Sequence, residues 1–191
     1  MTARTHDLFA FASLLTVASF FPPGNFNVLT LVGAVLAADI GALIPDMDNG
    51  GNKLWHFLPA GEKTGRILKG IFYKHRSFTH SLIGVYLIYK FFSWLLPKFL
   101  NPAFLDPVIV LSALMIGYIS HLIADSLTEE GIPLFWPLRI NFGFPPFKSW
   151  RIKTGKWFEN FVIYPSIWVY IVWFINMEKD TLIKILKMIT E

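Results

Sequence analysis

The chain has no cysteine and few charged residues. None of its 191 residues is Cys, and Asp, Glu, Lys and Arg together make up only 16% of them. Without cysteine there is no disulfide framework and no thiolate metal site, so any metal would have to be bound by imidazole and carboxylate groups. With so few charges and 54% hydrophobic residues, the chain has more apolar surface than a soluble domain of this size can bury.

No cleavable targeting sequence is recognisable. Residues 1–7 contain one Arg ahead of an apolar run, but no small-residue cleavage site follows. We therefore expect this segment to be part of the mature protein. The aromatic content, with 19 Phe and 7 Trp, suits helices in lipid with rings near the headgroups; a large aromatic core of a soluble protein is the alternative.

Five apolar runs predict an all-α fold. The runs cover residues 8–21, 26–44, 79–96, 107–127 and 161–177. A membrane-spanning helix needs about 20 residues, so the three middle runs are long enough to span, whereas the sequence leaves open whether the first and last runs cross fully. We predict one domain over residues 1–191, an all-α, multi-pass membrane protein with about four to five membrane helices. The last membrane helix is expected over residues 158–177, followed by an amphipathic tail over residues 178–191.

Two long loops, residues 46–78 and 127–157, separate the predicted helices. If the first four runs cross the membrane in alternation, both loops and the N-terminus lie on the same face. Most Lys and Arg residues lie on that face, which predicts that it is cytoplasmic. The second loop is rich in proline and aromatic residues and is predicted to form an ordered lid or rim at the interface.

Seven His and Asp residues fall at this same end of the predicted helices. They stand before the first helix, after the second, at the start of the third and at the end of the fourth. The residues are His6, Asp46, Asp48, His75, His80, His121 and Asp125. Because these helix ends would meet at one membrane face, the sequence predicts a divalent metal site there, with zinc preferred and manganese or iron as alternatives.

Each part of this set also has a simpler explanation. The two aspartates could be a polar helix stop, and the two histidines before the third helix could be unrelated interfacial residues. His121 and Asp125, four residues apart, share one helical face and could form a purely structural hydrogen bond. Ionisable groups within a membrane helix are expensive, however, and usually face a cavity or a partner.

Two further residues near this set have other interpretations. Asp39 lies two helical turns before Asp46 and could either orient a ligating imidazole or pair with a basic residue. His56 stands between Trp55 and Phe57 in the first long loop. Interfacial packing explains His56 better than metal binding, so it is excluded from the predicted site.

The predicted ligands indicate a hydrolytic reaction. A bound cation makes water a nucleophile near neutral pH and polarises a phosphoryl or carbonyl oxygen, so no Ser or Cys nucleophile is needed. Asp48 or Asp125 could accept the proton of that water, and Arg76 could hold an anionic substrate group. These three residues are the candidate catalytic residues.

Three segments of the chain are similar to one known family. They are Leu43-Ile44-Pro45-Asp46-Met47-Asp48, His75-Arg76-Ser77-Phe78-Thr79-His80-Ser81-Leu82 and Gly117-Tyr118-Ile119-Ser120-His121-Leu122-Ile123-Ala124-Asp125. The likeness opens at Thr5-His6 and continues through Leu127-Thr128, Gly131, Pro133 and Trp136-Pro137. In this order and spacing the segments resemble the LexA-regulated, membrane-bound metal-dependent hydrolase family over about residues 4–140.

The resemblance implies a multi-pass inner-membrane hydrolase with the seven His and Asp residues as its metal-binding positions. Two positions depart from the family pattern. Asn49 stands where the family often has a further His, and Ser77 stands where Gly is usual. Position 49 is therefore not counted among the ligands.

The sequence thus predicts a membrane-bound, metal-dependent hydrolase that acts on a phosphoester or ester at the cytoplasmic face. The bilayer is its expected partner, and a lipid or lipid-linked compound its expected substrate. The alternatives are an ion or metal transporter, whose ligands would be spread through the membrane depth, and a non-catalytic membrane scaffold. Nucleic acid is not an expected partner, because the basic residues form no recognisable binding module.

Overall fold

The computed structural model describes residues 1–24, 26–48, 78–138 and 140–190, but not the side chains of Asp48 and of residues 188–190. These ranges contain six α-helices: α1 (Ala3–Phe20), α2 (Val28–Leu43), α3 (Leu82–Phe99), α4 (Pro107–Ser126), α5 (Tyr164–Met177) and α6 (Lys179–Thr190). Within them there are isolated β-bridges but no β-strand. The predicted all-α fold is confirmed.

Three helical stretches are long and apolar enough to cross a membrane. They are α3, α4 and Glu159–Met177, in which a π-helical segment (Glu159–Ile163) continues into α5. Helix α2 is also apolar but has only 16 residues. The chain is therefore a multi-pass helical membrane protein, and large apolar side chains such as Val32, Leu87 and Val169 are exposed on its outer surface.

Polar side chains cap three of the helices. Asn27 accepts a hydrogen bond from Thr30 N at the start of α2, and Ser81 accepts one from Gly84 N at the start of α3. Asp106 caps α4 through two backbone N–H groups and is followed by a proline in the first turn. These caps satisfy N–H groups that have no partner within their own helix.

The largest differences from the predicted helix boundaries are in α1 and α3. Helix α1 begins at Ala3, so that His6 lies within the helix and not before it. Helix α3 continues through Pro97 to Phe99. Because Pro97 lies in the last turn of α3, the backbone hydrogen bond that it removes affects only the end of the helix.

Small residues bring α2 and α4 into close contact. The Cα of Gly41 packs against the backbone of Leu114, and the Cα of Gly117 packs against the backbone of Ala38. A Cβ atom at either glycine would lie closer than 3.0 Å to a backbone carbonyl. This is the usual way in which membrane helices approach, since small side chains let two backbones come together.

The helices alternate in direction around the α2–α4 pair. Helix α1 packs on α2, α4 and α5, and α3 packs on α4. The N-termini of α1, α3 and α5 and the C-termini of α2 and α4 therefore lie at one end of the bundle, which we call the site end. Two short 3₁₀ turns, Pro45–Asp48 and Phe78–His80, also lie there.

The loop between α4 and the π-helical segment, residues 127–157, lies at the site end. We call it the rim loop. Arg151 holds it together by donating hydrogen bonds to the carbonyls of Gly143, Pro145 and Pro146. Leu134 O accepts a hydrogen bond from the N–H of Leu82, which connects the loop to the start of α3. Its many exposed aromatic rings are typical of a membrane interface.

Candidate metal centre

Four side chains at the site end form a compact group. Asp46 comes from the 3₁₀ turn after α2, His80 from the 3₁₀ turn before α3, and His121 and Asp125 from the last turns of α4. Each offers one nitrogen or oxygen atom, and these four atoms lie within 4.8 Å of one another. His80, His121 and Asp125 are almost fully buried, and the side chain of Asp46 is 30% exposed.

The separations of these atoms suit a shared ion better than direct hydrogen bonds. His80 Nε2 lies 3.6 Å from Asp46 Oδ1 and 3.8 Å from Asp125 Oδ2. His121 Nε2 lies 3.7 Å from both of those carboxylate groups. Two nitrogen or oxygen ligands of a tetrahedral zinc ion, each bound at about 2.1 Å, are about 3.4 Å apart.

A backbone carbonyl holds the imidazole of His121 in the orientation that a ligand needs. His121 Nδ1 lies 2.7 Å from the carbonyl oxygen of Ala42, at the end of α2. Because that oxygen can only accept, Nδ1 carries the proton and Nε2 presents its lone pair to the cluster. Metal-ligating histidines commonly have such a hydrogen bond on their second nitrogen.

His6 extends the group from the first turns of α1. Its ring stacks on that of His121, with the centroids 3.8 Å apart, and its Nε2 lies 3.1 Å from Asp125 Oδ1. The terminal ammonium of Met1 also lies 2.5 Å from this carboxylate oxygen. The carboxylate of Asp125 thus faces three imidazoles and the positive charge of the terminal ammonium.

Tyr118 positions the turn that carries His80. Its hydroxyl donates a hydrogen bond to the carbonyl oxygen of Thr79, and all three residues are completely buried. The ring of His80 meets the ring of His121 edge-on, with the centroids 5.4 Å apart. Helix α4 therefore supplies two candidate ligands and also holds the backbone next to a third.

The neighbouring imidazoles favour the ionised form of Asp46. Burial acts to raise the pKa of this carboxyl group, because a charge is less stable away from water. The imidazoles of His80 and His121, which face this carboxylate, outweigh that effect and hold the pKa of Asp46 well below its usual range. Asp46 is therefore a carboxylate at neutral pH.

Glu159 anchors the start of α1, a role that no sequence pattern indicated. Its carboxylate is completely buried and accepts hydrogen bonds from the backbone N–H and the hydroxyl of Thr2 through Oε1. Its Oε2 accepts one from the N–H of Gly155 in the rim loop. Because the contacts with Thr2 join residues more than 150 positions apart, only the folded chain reveals them. They explain why α1 begins early enough to include His6.

The structure thus brings together five of the predicted ligands, which are His6, Asp46, His80, His121 and Asp125. The side chain of Asp48, together with His75 and Arg76, lies outside the described residues. Asp39 is exposed on α2 and is not one of the four residues grouped above. Every candidate ligand whose side chain is described therefore lies in one group at the site end.

The donor atoms fit a divalent ion. Among the described residues, no group hydrogen-bonds to His121 Nε2 or to His6 Nδ1, although both atoms are buried. Leaving a buried polar atom without a partner costs about 1–3 kcal/mol, so such atoms in a native protein call for an explanation. Imidazole and carboxylate ligands without thiolate suit zinc, manganese or iron, and nothing in the geometry selects one of these metals.

The chain is similar to known membrane proteins of bacteria. A family model described as YdjM inner membrane protein matches residues 1–181. The inner membrane protein YdjM of Escherichia coli (strain K12) is 31% identical over 179 residues, which cover 91% of this chain and 82% of that protein. The uncharacterized protein YvsG of Bacillus subtilis (strain 168) is 31% identical over 163 residues, 85% of this chain and 88% of that protein. No solved structure matches the chain.

Proposed function

The chain belongs to the YdjM inner membrane protein family, and we propose that it is a membrane-embedded, metal-dependent hydrolase. The observation that carries the proposal is the group of Asp46, His80, His121 and Asp125, three of them buried, whose ligand atoms lie within 4.8 Å of one another. Intramembrane His and Asp residues are costly and tend to be kept for function.

The chemistry of a bound divalent ion supports hydrolysis. When bound, such an ion polarises a phosphoryl or carbonyl oxygen and lets water attack near neutral pH. The imidazoles of His6, His80 and His121 and the carboxylate of Asp46 would hold and orient the ion. Asp125 or Asp48 would accept the proton of the attacking water, and Arg76 would hold an anionic group of the substrate.

We assign the site to the cytoplasmic face of the inner membrane and the substrate to phosphoesters or esters of lipids or lipid-linked compounds. The assignment of the face rests on the excess of Lys and Arg in the loops at the site end. The assignment of the substrate rests on the position of the site, where a headgroup would lie. Control of expression by LexA, which the resemblance also implies, stays a prediction about the gene.

A transporter is the main alternative. Coupling-ion and substrate sites of secondary transporters lie near the middle of the bilayer, at breaks in the helices. Here the five described ligands gather at one end of the bundle, beside the helix termini. This placement favours a surface reaction over a transport pathway. A non-catalytic scaffold, the third reading, would need neither metal nor His121.

The test is metal analysis by mass spectrometry on protein purified in detergent. The wild type is compared with the double variant His121→Ala/Asp125→Ala and with the control His56→Ala/Asp180→Ala. The control removes the same two side-chain types, from the histidine that we exclude from the site and from an exposed position on α6. We expect near-stoichiometric zinc, manganese or iron in the wild type and the control, and loss in the double variant.

Protein loaded with the metal found is then assayed with p-nitrophenyl phosphate, bis(p-nitrophenyl) phosphate and p-nitrophenyl esters, followed by phospholipids. Hydrolysis that disappears in the double variant and persists in the control supports the proposal. Wild-type protein that holds no metal, even after reconstitution, contradicts it. Metal binding without hydrolysis of any of these compounds would favour the transporter.

A further inference from the structure

A groove with a volume of about 550 Å³ lies between α1, α4 and the start of α5. Its volume is within the range of about 300–1,000 Å³ that small-molecule sites usually have. Phe9, Ser13 and Thr16 line it from α1, Ile119 and Ile123 from α4, and Tyr170 from α5. We call it the α1–α4 groove.

The α1–α4 groove starts just below the candidate metal centre. Phe9 lies one helical turn beyond His6, and Ile123 lies between the two ligands of α4 in the sequence. From there the groove follows α1 to Val17, which is about 12 Å along the helix axis at the usual rise per residue. On α1 and α4, most lining residues lie farther from the site end than the candidate ligands do. On α5, they lie beyond the start of the helix. The groove therefore extends into the membrane.

The polar atoms of the groove are already occupied. Ser13 donates its hydroxyl hydrogen to Phe9 O, and Thr16 donates to Ala12 O while its hydroxyl also contacts the Tyr170 hydroxyl. The hydroxyl of Ser120 likewise donates to a carbonyl of its own helix. No charged side chain is among the lining residues that the structure describes. The groove therefore suits a hydrocarbon chain and disfavours a polar occupant.

We propose that the α1–α4 groove binds one hydrocarbon chain of a membrane lipid and thereby places the ester or phosphoester group of that lipid at the metal centre. This inference rests on the proposed function and adds the binding site of the substrate. Lipid tails are as apolar as the groove, so the preference of a chain for the groove comes from van der Waals packing against three helices and not from the hydrophobic effect. The contribution of the groove is to align the scissile group with the metal centre.

The test is photo-cross-linking in lipid nanodiscs. The probe is a phosphatidylglycerol with a diazirine in the middle of one acyl chain, and cross-linked residues are mapped by peptide mass spectrometry. We expect more labelling at groove residues such as Phe9, Thr16 and Ile167 than at Leu36, which is 57% exposed but lies outside the groove. Labelling that simply follows exposure contradicts the proposal. A second copy of the chain seated in the groove would leave the groove unlabelled, and that result would also contradict the proposal.

Two serine-to-phenylalanine substitutions sharpen the comparison. Ser13→Phe fills the groove and should lower groove labelling severalfold. Ser112→Phe makes the same change on α4, at an exposed serine outside the groove, and should leave labelling unchanged. The two serines are matched, since each donates its hydroxyl hydrogen to the carbonyl four residues earlier. If Ser13→Phe does not lower groove labelling, the proposal is contradicted. If that variant cannot be purified in folded form, the labelling map of the wild type decides.

The groove and the proposed function can fail separately. Groove labelling does not need metal, so it should persist in His121→Ala/Asp125→Ala. Preferential labelling in a wild-type protein that binds no metal would contradict the hydrolase proposal and support the groove as a lipid site. Metal binding with hydrolysis, but without preferential labelling, would contradict the groove proposal and support the hydrolase proposal.

Discussion

Replacing a glycine in the α2–α4 contact should weaken metal binding although every ligand is kept. In Gly41→Ala and Gly117→Ala, the new methyl group meets a carbonyl oxygen of the facing helix. To relieve this contact the helices must separate by about 1 Å, whereas the 2.7 Å hydrogen bond between His121 Nδ1 and Ala42 O can lengthen by only about 0.8 Å before it is lost.

The size of the effect follows from the role of that hydrogen bond. Removing the partner that orients a ligating histidine typically costs about 10–100-fold in metal affinity. The packing conflict adds about 1–3 kcal/mol of destabilisation, which the better helix propensity of alanine offsets by about 1 kcal/mol. We therefore expect a larger loss in metal affinity than in the free energy of unfolding.

The assay is a competitive metal titration against a fluorescent chelator, with thermal unfolding measured on the same samples. Gly33→Ala is the matched control, because it makes the same change on α2 but meets only the end of the flexible Leu105 side chain. We expect Gly33→Ala to bind like the wild type. If Gly41→Ala and Gly117→Ala also bind metal as tightly as this control, then the close helix contact does not position His121.

Three further predictions concern the groups around the ligands. Tyr118→Phe leaves a buried carbonyl next to His80 without its donor, which should cost about 1–3 kcal/mol in stability and weaken metal binding in the same titration. Glu159→Gln replaces one acceptor oxygen with an NH₂ group that faces the N–H donors around it. We expect the start of α1 to loosen, which would appear as faster amide hydrogen exchange around His6. Unchanged exchange would contradict this role of Glu159. Protons compete with the metal for the imidazoles, so affinity should fall as the pH is lowered from about 7.5 to 5.5. Because the pKa of Asp46 lies below its usual range, its carboxylate stays ionised throughout, and a loss of affinity towards high pH in this window would contradict the assignment.

Local patterns were sufficient to predict the helices and the kinds of ligand. Long apolar runs have few alternatives to membrane helices, and their order decided which ends share a face. For that reason His80, His121 and Asp125 could be assigned to one site before any contact was known. The missed boundary of α1 shows the limit of this reasoning, since the helix starts early because of a contact with Glu159.

The sequence by itself determined that this protein is helical, lies in a membrane and carries His and Asp residues at one end of its helices. These properties depend on composition and on neighbours along the chain. Only the tertiary structure decided that Ala42 O orients His121, that Glu159 holds α1 and that a groove opens below His6. Each of these depends on how closely helices distant in the sequence pack, and that distance is set by facing side chains on both helices together.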